Sequence, residues 1–368
     1  MKVVITGGHH SSALPVIEKL KEKVSDVKLF WVGHKYSAKG DKNTTLEYRE
    51  IKALGIPFFD LKAGKVYKTY DFGRWVKIPL GFIQAFYYLL KIKPDVIMSF
   101  GGYLAAPVVS AGWFLKIPSL THEQTVVAGY SNRFISKFVK KILISWKQSA
   151  KFFPSKKVKF VGIPLRRSIF QIKSDSFKGN SELPTIYVSE GKTGSHIINE
   201  VMKQSLSDLL GFCNVILQCG DNYIFNDHDV IEGLYKKIED SVEGKMFLRK
   251  FVFEEEIGEA LLRSSLVVSR CGAHTTAELL ALKKPCLLIP ISWVSHNEQF
   301  ENASVLKKYG LGEIIEERNL NPEILVQKIK EMLKDLSKYK LNDESALDFL
   351  KEDPASLIAD EIIQIQAK

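Results

Sequence analysis

Ser99-Phe-Gly-Gly-Tyr-Leu-Ala-Ala-Pro107 decides how this chain is read, together with Thr121-His-Glu-Gln-Thr125 and Ser131-Asn-Arg133 beyond it. The apolar run before it, Pro94-Asp-Val-Ile-Met98, reads as a buried strand that ends in a double glycine. Without a Cβ, Gly101 and Gly102 let the backbone approach a ligand that any side chain would obstruct. A helix follows, and then a second strand, Pro118-Ser-Leu-Thr-His-Glu123, carries a polar cluster at its C-terminal end. In open α/β sheets that edge is where ligands bind.

The same rhythm extends in both directions. Strand-like runs fall at Val3–Thr6, Lys28–Val32, Pro57–Asp60, Val96–Ser99, Ser119–His122, Ile142–Ser145 and Val158–Val161, separated by helical stretches such as Ala13–Lys23 and Ile78–Leu90. Such βαβ alternation predicts a mostly parallel sheet covered on both faces. After the polar segment Ser174–Pro184 the alternation restarts, with strands at Thr185–Ser189, Asn214–Gln218, Met246–Phe251, Leu266–Ser269 and Cys286–Pro290. Two doubly wound Rossmann-like α/β domains are expected, residues 1–165 and 166–345, joined near Gly162-Ile-Pro-Leu-Arg-Arg167 with a cleft between them. Residues 346–368 hold a last helical stretch, Pro354–Ile365, expected to pack back on the first domain.

The 368 residues exceed one comfortable core, and 45% hydrophobic with 26% charged residues describes a folded globular protein. No segment reaches the roughly 17–25 apolar residues of a membrane span. Met1-Lys-Val-Val-Ile-Thr6 runs straight into a strand without the features of a signal peptide, so a cytoplasmic protein is expected. The four cysteines, Cys213, Cys219, Cys271 and Cys286, lack C-x-x-C spacing and read as buried structural thiols. The net charge of +10 is uneven: twelve Lys or Arg and no Asp or Glu lie between Gln124 and Ser174. By composition alone this field suits nucleic acid, anionic lipid or a phosphorylated substrate.

The words Gly101-Gly-Tyr-Leu-Ala-Ala-Pro107 and His122-Glu-Gln-Thr125 resemble G-G-Y-x-x-x-P and H-E-Q-N of the MurG family, bacterial glycosyltransferases that add N-acetylglucosamine to the lipid-linked cell-wall precursor. Further matches follow in order over roughly residues 1–315. Gly162-Ile-Pro-Leu-Arg166 is similar to G-N-P-[VI]-R, Ser269-Arg-Cys-Gly-Ala-His-Thr-Thr-Ala-Glu278 to S-R-[AS]-G-A-x-T-x-x-E, and His296-Asn-Glu-Gln-Phe-Glu-Asn-Ala303 to D-x-Q-x-x-N-A. Glu190-Gly-Lys-Thr-Gly194 echoes a phosphate-binding P-loop, but Ile186 stands where that motif needs glycine. It is closer to a diverged G-G-S-Q-G, with Glu190 and Lys192 as departures.

The first loop, Thr6-Gly-Gly-His-His-Ser-Ser-Ala-Leu-Pro15, has two alignments with the family's G-G-T-G-G-H-x-x-P. Ungapped, Ser12 falls on the family histidine and Pro15 on its proline. With a loop three residues shorter, His9 takes that place, and Ala13, Leu14 and Val16 match the following helix. The second is preferred and makes His9 the candidate general base, since imidazole ordinarily titrates near ~6.5. His10 reads as a hydrogen-bonded turn histidine.

The resemblance implies a GT-B fold and an inverting, metal-independent transferase without cofactor. N-acetylglucosamine would pass from UDP-N-acetylglucosamine to the muramoyl sugar of an undecaprenyl-diphosphate-linked peptide. Gly7, Gly8, Gly101, Gly102, Tyr103, Thr125 and Asn132 would meet the acceptor. Glu123 would hold its hydroxyl or orient the base, or else serve the loop at Gly129–Asn132. Arg166, Lys192, Glu254, Gly272, Ala273, Thr275, Glu278, Glu298 and Gln299 would hold the donor. Exposed amides at the start of the Thr275 helix would bind the diphosphate and Glu278 the ribose. The partners implied are these two substrates and an anionic membrane surface, not nucleic acid. The apolar and cationic stretch Phe72–Lys93, with Trp113 and the Arg133–Lys141 helix, suits peripheral docking on the inner membrane face. Two other readings stay open: a related GT-B enzyme with another lipid or polysaccharide acceptor, and a non-catalytic UDP-sugar-binding scaffold.

Overall fold

The computed structural model describes the chain except for residues 37–43, 65–71, 192–193, 223, 295–296, 351 and 367–368; of residues 72–77 it describes the backbone only. Two compact units emerge, residues 1–166 with 348–368, and residues 167–347.

The first unit runs β1 (Lys2–Thr6), α1 (His10–Lys23), β2 (Lys28–Gly33), α2 (Leu46–Ala53), β3 (Phe58–Asp60) and α3 (Phe72–Ile92). It continues through β4 (Val96–Ser99), α4 (Ala105–Phe114), β5 (Ser119–Glu123), α5 (Tyr130–Ile135), β6 (Lys141–Ile144) and β7 (Val158–Phe160). Its seven strands are all parallel, in the order β3-β2-β1-β4-β5-β6-β7. Successive β1 side chains point to opposite faces, so Val3 and Ile5 pack under α1 while Val4 meets the cluster formed by α3 and α4. The inner strands β1, β4 and β6 are buried on both faces along most of their length, which is why they read as nearly unbroken apolar runs.

The second unit comprises β8 (Thr185–Ser189), α6 (His196–Leu210), β9 (Asn214–Gln218), α7 (Asp227–Ile238), β10 (Met246–Arg249), α8 (Ile257–Arg263) and β11 (Leu266–Ser269). Then come α9 (Ala273–Ala281), β12 (Cys286–Leu288), α10 (Glu298–Lys308), β13 (Gly312–Ile314) and α11 (Pro322–Lys334). Its parallel sheet has the order β10-β9-β8-β11-β12-β13. Edge strand β13 is absent from the sequence reading because three residues beside Gly310 and Gly312 carry too little apolar pattern to register. The closing helix, α12 (Pro354–Gln366), returns to the first unit and packs against α1 through Ile358 and Ile362. Buried Glu361 receives Lys141 and Lys159, pinning α12 to the β6–β7 edge.

In each sheet the chain winds outward from one strand and then restarts on that strand's other side. The reversal lies between β1 and β4 in the first unit and between β8 and β11 in the second. At such a switch point adjacent connections diverge and leave a crevice at the strand ends. The two glycine-rich loops of the first unit and the Glu190 and Gly272 loops of the second stand at these points.

Candidate active site

At the first switch point β1 and β4 are in register to Thr6 opposite Ser99. Phe100 N–H donates to Thr6 O at 2.7 Å, and Gly8 N–H donates to Gly101 O at 3.1 Å. Glycine is required here by contact. A Cβ on Gly7 would meet Gly101 O at 2.8 Å, and one on Gly102, whose φ is +76°, would meet Gly8 N at 3.0 Å. Gly8 itself faces open space.

His9 is the residue preceding α1, and its ring is half-buried. Helix α1 therefore begins at His10, three residues earlier than its apolar pattern suggested. His10 is buried and its Nε2 lies 2.6 Å from Glu50 Oε2 on α2, so it ties two helices together. Ser12 is also inside, donating to Gln124 Oε1 at 3.0 Å. That contact joins the first loop to the end of β5. Only His9 of these three presents its ring at the loop surface.

Glu123 bonds to the loop at Gly129–Asn132, one of the two uses expected of it. One carboxyl oxygen accepts from Thr125 N–H (3.1 Å) and lies 2.8 Å from Thr125 Oγ1; the other accepts from Gly129 N–H (3.1 Å) and Asn132 Nδ2 (3.0 Å). Asn132 in turn accepts from Thr121 Oγ1 at 2.8 Å. Glu123, Thr125 and Asn132 are thus the buried skeleton of the β5–α5 loop. Burial pushes the Glu123 carboxyl up, against the hydrogen bonds from Asn132, Thr125 and Gly129. Thr125 Oγ1 and Asn132 Nδ2, atoms of two residues expected to meet the acceptor, bond to Glu123 and hold the loop. Tyr103 is half-buried, 5.4 Å from the His34 ring; burial and then Glu47 raise its hydroxyl well above the usual range, so it stays a neutral hydrogen-bonding group.

At the second switch point α9 begins at Ala273, with Gly272 preceding it in an extended conformation and nothing within 4 Å of where its Cβ would be. The helix thus starts two residues earlier than Thr275, adding Ala273 and His274 amides to the unpaired first turn. Helix starts of this kind present N–H groups and positive potential to an anion. Glu278, one turn on, is buried and lies 3.1 Å from His274 Nδ1. Gln299 Oε1 accepts from Cys271 N–H at 3.2 Å and Ile291 N–H at 3.1 Å, and Asn302 Nδ2 donates to Cys271 O at 3.0 Å. Gln299 therefore fastens the Gly272 loop to the loop after β12 with its oxygen. Glu298 opens α10 beside it, half-buried, and Glu254 is exposed in the loop after β10. Arg166 is the last residue of the first unit. Lys192 and His296 lie outside the described residues.

Glu190, one of the two departures from the family's loop, turns inward. It is 4% exposed, and its Oε2 accepts from Ser195 N–H at 2.6 Å, bridging the loop that leads into α6. Burial raises its carboxyl well above the ordinary carboxylate range, opposed by the Ser195 bond and by Arg270. Arg270, the second letter of the Ser269 motif, has a role that its motif does not reveal. Its guanidinium donates to Ser195 Oγ at 2.6 Å, to Glu317 Oε1 at 2.5 Å and to Ile289 O at 3.1 Å. It thereby braces the Glu190 loop against β12 and the segment after β13. The only trace of this in the sequence is the arginine itself at a strand end.

Residues 3–144 match the glycosyltransferase family 28 N-terminal domain and residues 185–362 the family 28 C-terminal domain. A Treponema denticola protein named UDP-N-acetylglucosamine–N-acetylmuramyl-(pentapeptide) pyrophosphoryl-undecaprenol N-acetylglucosamine transferase is 30% identical, covering 96% of this chain and 94% of its own length. A Clostridium perfringens protein of the same name is 32% identical over 92% of each chain. Among solved structures, Acinetobacter baumannii MurG superposes with a TM-score of 0.68 over 99% of both chains at 22% identity, a likeness of GT-B fold. With both domain matches in order and relatives of this identity along nearly the whole length, the chain belongs to glycosyltransferase family 28, within its MurG-like transferases.

Proposed function

We propose that this protein transfers N-acetylglucosamine from UDP-N-acetylglucosamine to the muramoyl sugar of an undecaprenyl-diphosphate-linked peptide, the reaction named for its relatives. The observation that carries the reading is the second switch point, where the open start of α9 at Gly272–Thr275 has buried Glu278 one turn behind it. The amides suit a diphosphate and the carboxylate suits the ribose hydroxyls of the same nucleotide. In the reaction His9 takes the proton of the acceptor hydroxyl as its oxygen bonds to the anomeric carbon. The bond from that carbon to the diphosphate oxygen breaks with its electron pair, so UDP leaves and the configuration inverts. Helix amides, with Arg166 and Lys192, offset the charge that develops on the diphosphate. Glu123 serves by holding the loop beside this chemistry.

The first unit is the acceptor and membrane-facing half. Among described residues no helix is long and apolar enough to cross a membrane. On α3, Gly81, Ala85, Leu89 and Ile92 face inward while Leu80, Ile83, Tyr87 and Leu90 form an exposed stripe flanked by Lys91 and Lys93. Trp113, Phe114 and Phe134 add exposed rings on α4 and α5. Apolar groups ringed by cations favour peripheral attachment to an anionic bilayer.

Incubation of the purified chain with labelled UDP-N-acetylglucosamine and a panel of lipid-linked acceptors tests the reading; label should move only to the muramoyl-peptide lipid. Glu278→Ala should raise the donor KM about 10- to 150-fold, the worth of a charge-assisted hydrogen bond. Absence of transfer to any acceptor, with nucleotide still bound, would leave a binding scaffold instead.

A further inference from the structure

At the opposite end of the first sheet from the glycine loops, the N-terminal end of β5 opens into a cavity of about 450 Å³. Four lysines line it, Lys116, Lys137, Lys140 and Lys157, together with Ser119 and an aromatic wall of Trp113 and Phe138, whose rings are 5.4 Å apart. No carboxylate lines the cavity, and none of the four lysines is in an ion pair with a described residue. Ordinary solvated lysines are spread along a surface; these converge on one concavity. Lys157 is fixed there by donating to Ser136 O (2.9 Å) and Lys137 O (3.0 Å), in the turn that follows α5, which leaves one ammonium hydrogen unspent. Lys116 is held with φ at +58°, in the left-handed region that a non-glycine residue rarely occupies. Ser119 is 1% exposed and its hydroxyl has no protein partner.

Gathering four cations without a counter-charge costs energy, and an unpartnered buried hydroxyl adds to it. Burial and the neighbouring Lys140 both push the Lys157 ammonium down, the expected mark of such crowding. A polyvalent anion relieves both costs. The cavity rim continues into exposed Trp113 and Phe114, which a free anion has no use for but a lipid does.

We infer that this cavity is a binding site for the phosphate of a lipid headgroup, with Lys116, Lys137, Lys140 and Lys157 around the phosphate oxygens, Ser119 beneath, and Trp113 and Phe114 against the acyl region. The inference rests on the peripheral-membrane reading and gives it a specific ligand. It requires discrimination between phosphate and other anions, which a diffuse cationic field does not produce.

Flotation of the full chain tests it, with vesicles of phosphatidylcholine carrying phosphatidic acid or, at matched surface potential, oleate. The wild type should favour the phosphatidic acid vesicles about tenfold, on the scale of one charge-assisted hydrogen bond. Ser119→Ala changes no charge, and both it and a Lys116→Gln/Lys140→Gln double variant should abolish that preference. The double variant should still reach the oleate vesicles through its apolar stripe. Equal binding of the wild type to both vesicles, or a preference intact in both variants, would overturn the site. Attachment to neither vesicle would instead remove the membrane reading beneath it. In a soluble arm, glycerol phosphate should change the tryptophan fluorescence of the wild type beyond a sodium chloride control, and not that of Trp113→Phe. Saturation by glycerol phosphate without any vesicle preference would overturn the lipid source. Circular dichroism of each variant shows that it is folded.

Discussion

His9 and His10 of the first loop and Glu123 at the end of β5 have different fates, and substitution separates them. His9→Ala should lower kcat by about 10²–10⁴, the usual cost of a lost general base, with the melting temperature unchanged. His10→Ala should leave turnover near normal but cost about 1–3 kcal/mol of stability, because it strips a buried partner from Glu50. Glu123→Ala should destabilise by a similar amount or more, since four donors lose their acceptor at once. Steady-state kinetics beside thermal melts reads all three, and a His9→Ala enzyme of ordinary kcat would strike His9 from the mechanism. Glu190 makes a pH-dependent contribution. Its folded-state value is raised, so the stabilisation is fully present below the unfolded carboxyl value of about 4.3 and is lost as pH rises through the folded one. The melting temperature of the wild type should therefore fall relative to Glu190→Gln between pH 5 and pH 8. Parallel curves would show that Glu190 is ionised throughout.

Among elements, α12 shows how a short terminal helix becomes indispensable. Ile358, Ile362 and Ala359 are fully buried against the first sheet, and Glu361 is 2% exposed between Lys141 and Lys159. Those two lysines hold the Glu361 carboxyl below its ordinary value despite burial. Its contribution is thus present above about pH 4.3 and is lost as pH falls through the depressed value. Glu361→Gln should cost about 1–2 kcal/mol near neutrality, discounted because both lysines are partly in water, and the difference from wild type should shrink in acid. Urea unfolding at pH 7 and pH 3.5 measures it; a difference that is constant or larger in acid would contradict the ion-pair account.

The whole chain is two independently cored units, and a ligand of one should stabilise that one. UDP at a hundred times its Kd should add about 2.7 kcal/mol to the unit of residues 167–347, a shift of about 5–10 °C for a domain of that size. The transition of residues 1–166 with 348–368 should stay in place. Scanning calorimetry with and without UDP, assigned by fragments from limited proteolysis of partly melted protein, distinguishes the two. Movement of the first unit's transition alone would reverse the assignment of donor and acceptor halves.

Much of this protein was legible before folding was considered. Apolar runs four to six residues long, spaced by helix-length intervals, point to a parallel sheet because strands buried on both faces read that way, and twelve of the thirteen strands among the described residues announced themselves as strand-like runs. Glycines at 7, 101 and 102 were equally plain, since a close approach of neighbouring atoms demands the one residue without a Cβ. Side-chain partnership was not legible. Whether Glu123 faces a substrate or a loop, whether Glu190 repels a diphosphate or caps a turn, and whether Arg270 merely ends a strand depend on which atoms lie within about 3 Å. Lys137, Lys140 and Lys157 likewise read only as members of the basic stretch between Gln124 and Ser174, with Lys116 outside it, until the fold brings the four around one cavity. Periodicity is a property of neighbours along the chain and survives in the sequence. Hydrogen bonds and converging charges join residues far apart along it, so only the tertiary structure decides them.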